Sequence, residues 1–291
     1  MTVTWNPPDF VSAYLEALNR CFPDWGGQAM YDWCFTRDAG AGSADLMILH
    51  DDQARLIAGS AVTYRLLQTA EGRPFKAGIM TGSWTFPEAR GQGCFTRIIQ
   101  ASVEACVRRE AAVLLAFVTE TNPSYRRLAA AGSVLVPSWY VVSTHETPVV
   151  EAPPLPQWRG RPSPPPPPAD AVHFVYPDLA AWQSQFLDRP HPTRCLGSLD
   201  AWAVIEESET SDRIETDSIL LAPLLARAQS HQRQLFFYTT RPDRRDEGAA
   251  LGLKPLPGFL TVLPAHAGRC TEIGGDLSSL GPWDVHTGDR M

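Results

Sequence analysis

Apolar and polar positions in the first half of the chain recur with the periods of helices and strands. Along residues 93–109, apolar and charged side chains fall on opposite faces of a helix. Residues 112–118 (AVLLAFV) form an unbroken apolar run, as expected of a strand buried on both faces. The pattern predicts the order αβββαβαβ, with helices at 9–21, 93–109 and 123–131 and strands at 45–50, 55–67, 75–86, 112–118 and 134–142.

The second half shows the same alternation of short helices and strands. The pattern predicts strands at 172–176, 201–206, 213–221, 234–239 and 259–263, and helices at 178–187, 221–230 and 242–252. Residues from Gly268 onward contain few apolar side chains, which predicts a loosely held tail. We therefore expect two similar αβ halves.

A proline-rich stretch from Pro148 to Asp170 separates the two halves and includes five consecutive prolines at 164–168. Proline has no backbone N–H and a fixed φ, so this run cannot join a sheet or the interior of a helix. The stretch predicts an extended polyproline II spacer, and a ligand for an SH3-like partner is the alternative. The predicted domains are residues 1–147 and 171–291, with a linker at 148–170.

The charge balance narrows the classes of function. The net charge of −7 argues against binding to nucleic acid or to an anionic membrane surface. No apolar run approaches the about 20 residues that a membrane-spanning helix needs. The N-terminal residues MTVTWNPPDF lack the basic and apolar regions of a signal peptide. These features predict a cytoplasmic protein.

Cysteine spacing gives no sign of a metal site. The six cysteines include no C-x-x-C pair, and no histidine lies close enough in sequence to complete a metal-binding pattern. We expect neither a metal nor a disulfide, and the sequence carries no signal for an oligomeric state.

One segment, Thr85–Phe95 (TFPEARGQGCF), carries the clearest chemical signal. A strand ends, Pro87 stops it, and an R-G-x-G turn opens the amphipathic helix. A helix start has unpaired N–H groups and a partial positive charge, and glycines let a ligand approach the backbone. The segment predicts a cradle for a pyrophosphate. The alternative is that the glycines serve only a tight strand-to-helix turn.

Residues 80–142 resemble the cofactor-binding core of the GCN5-related N-acetyltransferase (GNAT) superfamily. That family places R/Q-x-x-G-x-G/A between its fourth strand and third helix, where it holds the pyrophosphate of coenzyme A. The four residues from Arg90 to Gly93 match this motif, and Phe95 departs from it at the last small position. The residues that the resemblance implies for binding of acetyl-CoA are Trp84, Thr85, Phe86, Arg90, Gly91, Gln92, Gly93, Cys94, Phe95, Thr96, Asn122 and Ser124.

The resemblance also implies an architecture. It is an α/β fold with a mixed, mostly antiparallel central sheet flanked by helices, here as two tandem GNAT-like halves. The second half lacks a G-x-G turn between a strand and a helix, so we expect it to hold no second coenzyme and to form the acceptor side.

Candidate catalytic groups follow the buried strand at 112–118. In the family, the tyrosine that protonates the departing thiolate lies seven residues after an asparagine, a position that is Ala129 here. Tyr125 is nearer and either takes that role or covers the edge of the core. Glu120 is either the base for the amine or a solvated surface residue. Backbone N–H groups of 81–86 are implied to be oxyanion donors.

Cys94 is a further candidate, because a helix N-terminus acidifies a thiol. The sequence favours a packing role for Cys94, since no histidine lies nearby.

The sequence thus predicts an acyl-CoA-dependent N-acetyltransferase that moves an acetyl group to a primary amine of a small molecule by direct attack on the thioester. The alternative is a catalytically inactive binding or regulatory module with the same fold. The motifs are similar to those of acetyltransferases acting on nucleotide-linked amino sugars. Such an anionic acceptor needs local cations, for which Arg189, His191 and Arg194 are candidates, with Trp182 as a stacking residue.

Overall fold

The computed structural model of the chain describes residues 1–160, 162–165 and 170–290. Contacts between residues divide the chain into two compact units, and each is described by itself. The first unit contains Met1–Leu135 and Thr261–Leu280, and the second contains Val136–Leu260 and Gly281–Arg290. Among the described residues, no helix combines the length and the apolar composition that crossing a bilayer requires.

The first unit begins as an antiparallel series of strands and continues with a parallel one. In chain order, its elements are β1 (Thr2–Trp5), α1 (Val11–Cys21), α2 (Gln28–Tyr31), a π-helical turn at Asp32–Thr36, β2 (Asp45–His50), β3 (Leu56–Gln68), β4 (Pro74–Thr85), a 3-10 turn at Pro87–Ala89, α3 (Cys94–Arg108), β5 (Val113–Thr119) and α4 (Pro123–Ala130). β1 through β4 pair in sequence as antiparallel neighbours, and β4 pairs with β5 in parallel. α3 is the crossover that this parallel pair requires.

The second unit repeats this plan. β6 (Val134–Val142) leads into it, followed by β7 (Val172–Val175), α5 (Leu179–Phe186), β8 (Thr193–Gly197), β9 (Trp202–Glu207), β10 (Ser211–Asp217), α6 (Leu221–Ser230), β11 (Gln234–Thr239), α7 (Pro242–Ala250) and β12 (Lys254–Pro264). β8, β9 and β10 are antiparallel neighbours, β10 and β11 are parallel, and β11 is antiparallel to β6. Near the C-terminus, β13 (Trp283–Asp284) runs parallel to β7.

The first unit is completed by residues from the far end of the chain. Thr261, near the end of β12, donates its hydroxyl hydrogen to the Ala116 carbonyl of β5 at 3.2 Å. The chain then forms α8 (Ala267–Glu272), and the Cys270 thiol lies 3.0 Å from the Ala112 carbonyl oxygen. The predicted loose tail is wrong. Its apolar side chains at Cys270, Trp283 and Val285 are buried.

The predicted helices and strands are confirmed in order, with ends that differ by a few residues. The architecture is the predicted α/β fold with a large, mostly antiparallel sheet flanked by helices. Five elements were not predicted, namely β1, α2, β8, α8 and β13. Each is six residues or shorter, so none gives a periodicity that a sequence pattern can resolve.

Part of the predicted spacer is ordered against the second unit. Gln157 forms a bridge with Leu196 of β8, and the Trp158 N–H donates to the Cys195 carbonyl at 2.9 Å. A free polyproline II spacer is therefore not what the structure shows at 156–158. Prolines 166–168 lie outside the described residues. The roles assigned to the two predicted domains stay a prediction.

The core of the first unit explains one glycine. Gly59 on β3 lies against the indole of Trp84, and a Cβ built at Gly59 is 2.5 Å from the Trp84 ring. A side chain there would displace the indole, so the close approach requires glycine. The same indole packs on Tyr14 of α1, with ring centroids 6.1 Å apart. This packing fixes α1 over the end of β4.

Candidate active site

β4 and β5 diverge towards their carboxyl ends. Their parallel register runs from Ala77↔Val113 to Ile79↔Leu115. β4 then continues to Thr85 and β5 to Thr119 with no further pair between them in the described register. Two parallel neighbours that separate in this way leave backbone groups of both strands unpaired at one edge of the sheet.

A β-bulge interrupts β4 beside this divergence. Ala61 pairs with Thr81 and Gly59 pairs with Trp84, so two β4 residues face Ser60. The first of the two, Gly82, has a φ of 58°. The Ser60 and Ser83 hydroxyl oxygens lie 2.7 Å apart. A bulge leaves ladder groups free and redirects the strand, and bulges are common next to active sites.

Residues of α1 and the π-helical turn close over the bulge. A Cβ built at Gly82 is 3.4 Å from Leu18 and 3.6 Å from Phe35. Phe35 lies in the π-helical turn, a form that occurs often at functional sites. The sequence analysis missed both the bulge and this turn. An isolated glycine inside a strand pattern was the available signal for the bulge.

The R-G-x-G turn lies at the end of β4. Gly91 and Gly93 have φ values of 79° and 83°, both in the left-handed region that favours glycine. Gly93 is the N-cap of α3, and no side chain in the described chain caps this helix. No atom lies within 4 Å of a Cβ built at either glycine. The helix therefore presents unpaired N–H groups to open space, as an anion site requires.

The cofactor residues predicted around this turn divide into two groups. Arg90, Gly91, Gln92, Gly93 and Thr96 are exposed, and Thr85 and Phe95 are partly exposed. Trp84 and Phe86 are buried, with ring centroids 4.9 Å apart. Their side chains belong to the core, so any contact with a ligand is limited to their backbone groups.

Cys94 is also buried. Its thiol lies 3.5 Å from the Ala89 carbonyl oxygen. Burial raises the pKa of the Cys94 thiol, so this thiol stays protonated at neutral pH. The geometry agrees with the packing role rather than with a nucleophile.

The second predicted group lies at the carboxyl end of β5. Asn122 is the N-cap of α4, and its side-chain oxygen accepts from the Ser124 N–H at 3.0 Å and from the Ser124 hydroxyl at 2.7 Å. This capping explains the Asn-x-Ser pattern without a ligand. Glu120 is exposed just after β5, and Tyr125 is partly buried in the first turn of α4. Because β4 and β5 are parallel, both predicted groups lie at the same edge of the sheet.

The four residues predicted for the acceptor lie in the second unit and do not form one site. Trp182 is 2% exposed and packs on Phe186 and Trp202, with ring centroids 5.1 and 5.8 Å away. No face of Trp182 is left for a sugar or base to stack on. Arg189 is also buried and pairs with Glu206 at 2.7 Å and Glu215 at 3.5 Å. The structure corrects both predictions.

His191 and Arg194 differ from those two. His191 is exposed just before β8. Arg194, on β8, is paired with Glu207 and lines a small cavity of about 330 Å³. Arg227 and Arg233 line the same cavity, and both also pair with Glu207. Arg194 therefore belongs to a group of cations that the sequence did not reveal.

No group of three or more His, Cys, Asp or Glu side chains within the described part of the chain is arranged to hold a metal ion.

Comparison with known proteins assigns the fold. Residues 7–130 match the model of the acetyltransferase (GNAT) domain family. No curated protein matches the chain. Among solved structures, a protein of Enterococcus faecalis described as a "Probable N-Acyltransferase" is 12% identical, with 92% of this chain and 74% of that chain covered and a TM-score of 0.60.

Two further structures have a TM-score of 0.56. A GCN5-related N-acetyltransferase from Anabaena variabilis is 11% identical, with 90% of this chain and 72% of that chain covered. A tandem GNAT protein from the clavulanic acid biosynthesis pathway is 13% identical, with 90% of this chain and 98% of that chain covered. These likenesses show the fold, which is a tandem GNAT fold. With the domain match, they support acyl transfer as the class of chemistry.

Proposed function

We propose that this protein transfers an acetyl group from acetyl-CoA to the primary amine of a small molecule. The observation that carries the proposal is the uncapped start of α3 at Gly93, next to the bulge in β4 and the divergence of β4 from β5. The first feature suits phosphates, and the second supplies free backbone donors beside them. GNAT-fold proteins use these two features together.

The residues present fit coenzyme A at the turn. Both turn glycines leave open space where a side chain would stand, and Arg90 is exposed at the entry. In the proposal, the N–H groups from Gly91 to Phe95 hold the pyrophosphate and Arg90 adds charge. Acetyl-CoA supplies an activated thioester, so the protein needs only to orient the reactants and handle protons.

Proton handling is proposed for two residues near the end of β5. Glu120 accepts a proton from the attacking ammonium or amine, directly or through water. Tyr125 donates a proton to the leaving thiolate. Free backbone N–H groups at the bulge, on Gly82 or Ser83, stabilise the oxyanion.

Two observations bear on the nature of the acceptor. The resemblance to enzymes of nucleotide-linked amino sugars requires cations on the acceptor side. Burial of Trp182 and Arg189 removes two of the four proposed contacts. The cations of the 330 Å³ cavity, Arg194, Arg227 and Arg233, are what now supports an anionic acceptor.

Release of free coenzyme A tests the proposal. The full chain is mixed with acetyl-CoA and a panel of amines that includes amino-sugar nucleotides. Saturable, amine-dependent release supports the enzyme. Binding of acetyl-CoA by calorimetry without release for any amine would support the alternative, an inactive binding module. Absence of binding would reject both.

A further inference from the structure

The second unit contains a cavity of about 640 Å³ at the carboxyl ends of β10 and β11. The parallel register of these strands runs from Ser211↔Gln234 to Arg213↔Phe236 and then stops, within the described chain. β4 and β5 of the first unit likewise share three register pairs. The cavity therefore occupies the place in the second unit that the divergence of β4 and β5 occupies in the first.

The cavity also lies beside a bulge. The register between β10 and β9 shifts between Ile214 and Thr216, which leaves Glu215 as the extra residue. Glu215 lines the cavity and is fully buried. Its Oε1 is paired with Arg213, whereas its Oε2 accepts no hydrogen bond and has Arg189 Nη1 at 3.5 Å. A buried carboxylate oxygen without a hydrogen bond is costly unless a donor completes it.

The start of α6 differs from the start of α3. The Leu221 N–H donates to Glu247 Oε1 at 2.6 Å, so a carboxylate of the protein already occupies this helix start. The other oxygen of Glu247 is paired with Arg244, which is also paired with Asp217. A phosphate here would meet the charge of Glu247 and would have to displace it. The second unit has kept the opening and closed its anion site.

Charge and shape of the lining favour a different ligand. Four carboxylates line the cavity, on Glu215, Asp217, Asp243 and Glu247, against the guanidinium groups of Arg241 and Arg244 and the imidazole of His286. Arg213 and Arg189 offset Glu215, and Arg241 offsets Asp243. Asp217 and Glu247 share Arg244, so one carboxylate charge remains in excess at that point.

The opposite wall of the cavity is apolar. It is formed by Leu155, Ile219, Leu220, Pro223 and Phe237. A ligand with an apolar body gains burial there, and most small-molecule sites combine such a wall with a few polar groups.

We propose that this cavity binds an organic amine in its ammonium form, with the ammonium at Asp217 and Glu215 and an apolar body against Ile219, Leu220 and Pro223. An ammonium has three donors and no acceptor, which matches the unused carboxylate oxygens. The proposal goes beyond the acetyl transfer proposed above and does not depend on it, because binding is measured without acetyl-CoA.

A charge series on one carbon skeleton tests the proposal. Phenylbutylamine, phenylbutanol and phenylbutyrate are titrated into the full chain by calorimetry at neutral pH. We expect the amine to bind about tenfold or more tightly than the alcohol, since a charge-assisted hydrogen bond replaces a neutral one. The carboxylate is expected to bind more weakly than the alcohol. Equal affinities for the three probes, or no binding of the amine, would overturn the proposal.

Variants locate the site. Asp217→Asn keeps the shape of the side chain and should weaken amine binding about tenfold. Asp246→Asn, on an exposed acid of α7 that does not line the cavity, is the matched control and should have no effect. A thermal unfolding midpoint for each variant checks that it is folded. Equal losses in the two variants would place the amine elsewhere.

A final arm distinguishes two sources of the same chemistry. With acetyl-CoA present, mass spectrometry of the amine shows whether it is acetylated. Acetylation identifies the cavity ligand as an acceptor, and an unchanged amine identifies it as an effector. If coenzyme A release fails for every amine while phenylbutylamine still binds, the proposed enzyme is rejected and the cavity site stands.

Discussion

At the scale of single residues, Gly93 decides whether the start of α3 stays open. Asparagine tolerates the left-handed region better than other residues with a side chain, so Gly93→Asn should fold. Its amide would occupy the space through which a phosphate approaches. We expect acetyl-CoA affinity to fall about tenfold or more in calorimetry, because several N–H contacts are blocked. Gly132→Asn is the control, since Gly132 also has a positive φ and open space but follows α4. Equal affinity for the two variants would reject the cradle.

Also at this scale, Tyr125→Phe tests the proton donor. General acid catalysis contributes typically about 10²–10⁴-fold, so kcat should fall by about 100-fold while acetyl-CoA binding is unchanged. A fall below about threefold would return Tyr125 to a packing role.

Glu120→Gln tests the base. Its loss of kcat should shrink as the pH rises and the free amine becomes plentiful. Glu104→Gln, on the exposed face of α3, is the control and should behave as the unchanged chain at every pH. A loss that is the same across the pH range would show that Glu120 is not the base.

At the scale of elements, the approach of β3 to the Trp84 indole gives a packing prediction. Gly59→Ala adds a methyl group 2.5 Å from that ring, which should destabilise the protein by about 1–3 kcal/mol in urea unfolding. Gly27→Ala is the control, because its Cβ meets no atom within 4 Å and its φ is −110°. Similar midpoints for the two variants would show that the indole moves aside at little cost.

The same scale shows what the sequence can and cannot reveal. α3 and β5 were predictable because amphipathic spacing over 15 residues and an apolar run are local properties. The bulge at Gly82 was not, because it exists only in the register of β4 against β3. Nor was the burial of Arg189, since DRPHPTR reads as an exposed basic loop until Glu206 and Glu215 are brought to it by other strands. Residue chemistry was visible, and long-range pairing decided its use.

At the scale of the whole molecule, the C-terminal segment links stability to pH. Burial alone lowers the pKa of His286, but its contacts with Asp284, 3.7 Å away, raise it to about 9. A raised pKa in the folded state stabilises the protein fully below the unfolded value of about 6.5, and this contribution is lost as the pH rises through about 9. The thermal midpoint of His286→Gln should therefore fall below that of the unchanged chain at pH about 6 and approach it by pH about 10. His231→Gln, at an exposed position, is the control. A difference that does not narrow with pH would contradict the assignment.

Truncation gives a second prediction at this scale. A chain cut near Val150 lacks Thr261–Leu280, which belong to the first unit. Such a chain should expose Ala112 and Ala116 and unfold at a lower temperature than a chain in which residues 1–135 and 261–280 are joined by a flexible linker. Equal midpoints would show that the returning segment is dispensable.

The return of residues 261–280 also orders events during synthesis. A ribosome makes the chain from its N-terminus, and domains generally fold as they emerge. Here β5 waits for its contacts at Ala112 and Ala116 until Thr261 and Cys270 have been translated. The nascent first unit therefore carries an incomplete edge while the whole second unit is being made. A chaperone that covers unpaired strand edges would find its substrate in that interval, and a stalled ribosome would leave the active half of the protein unfinished.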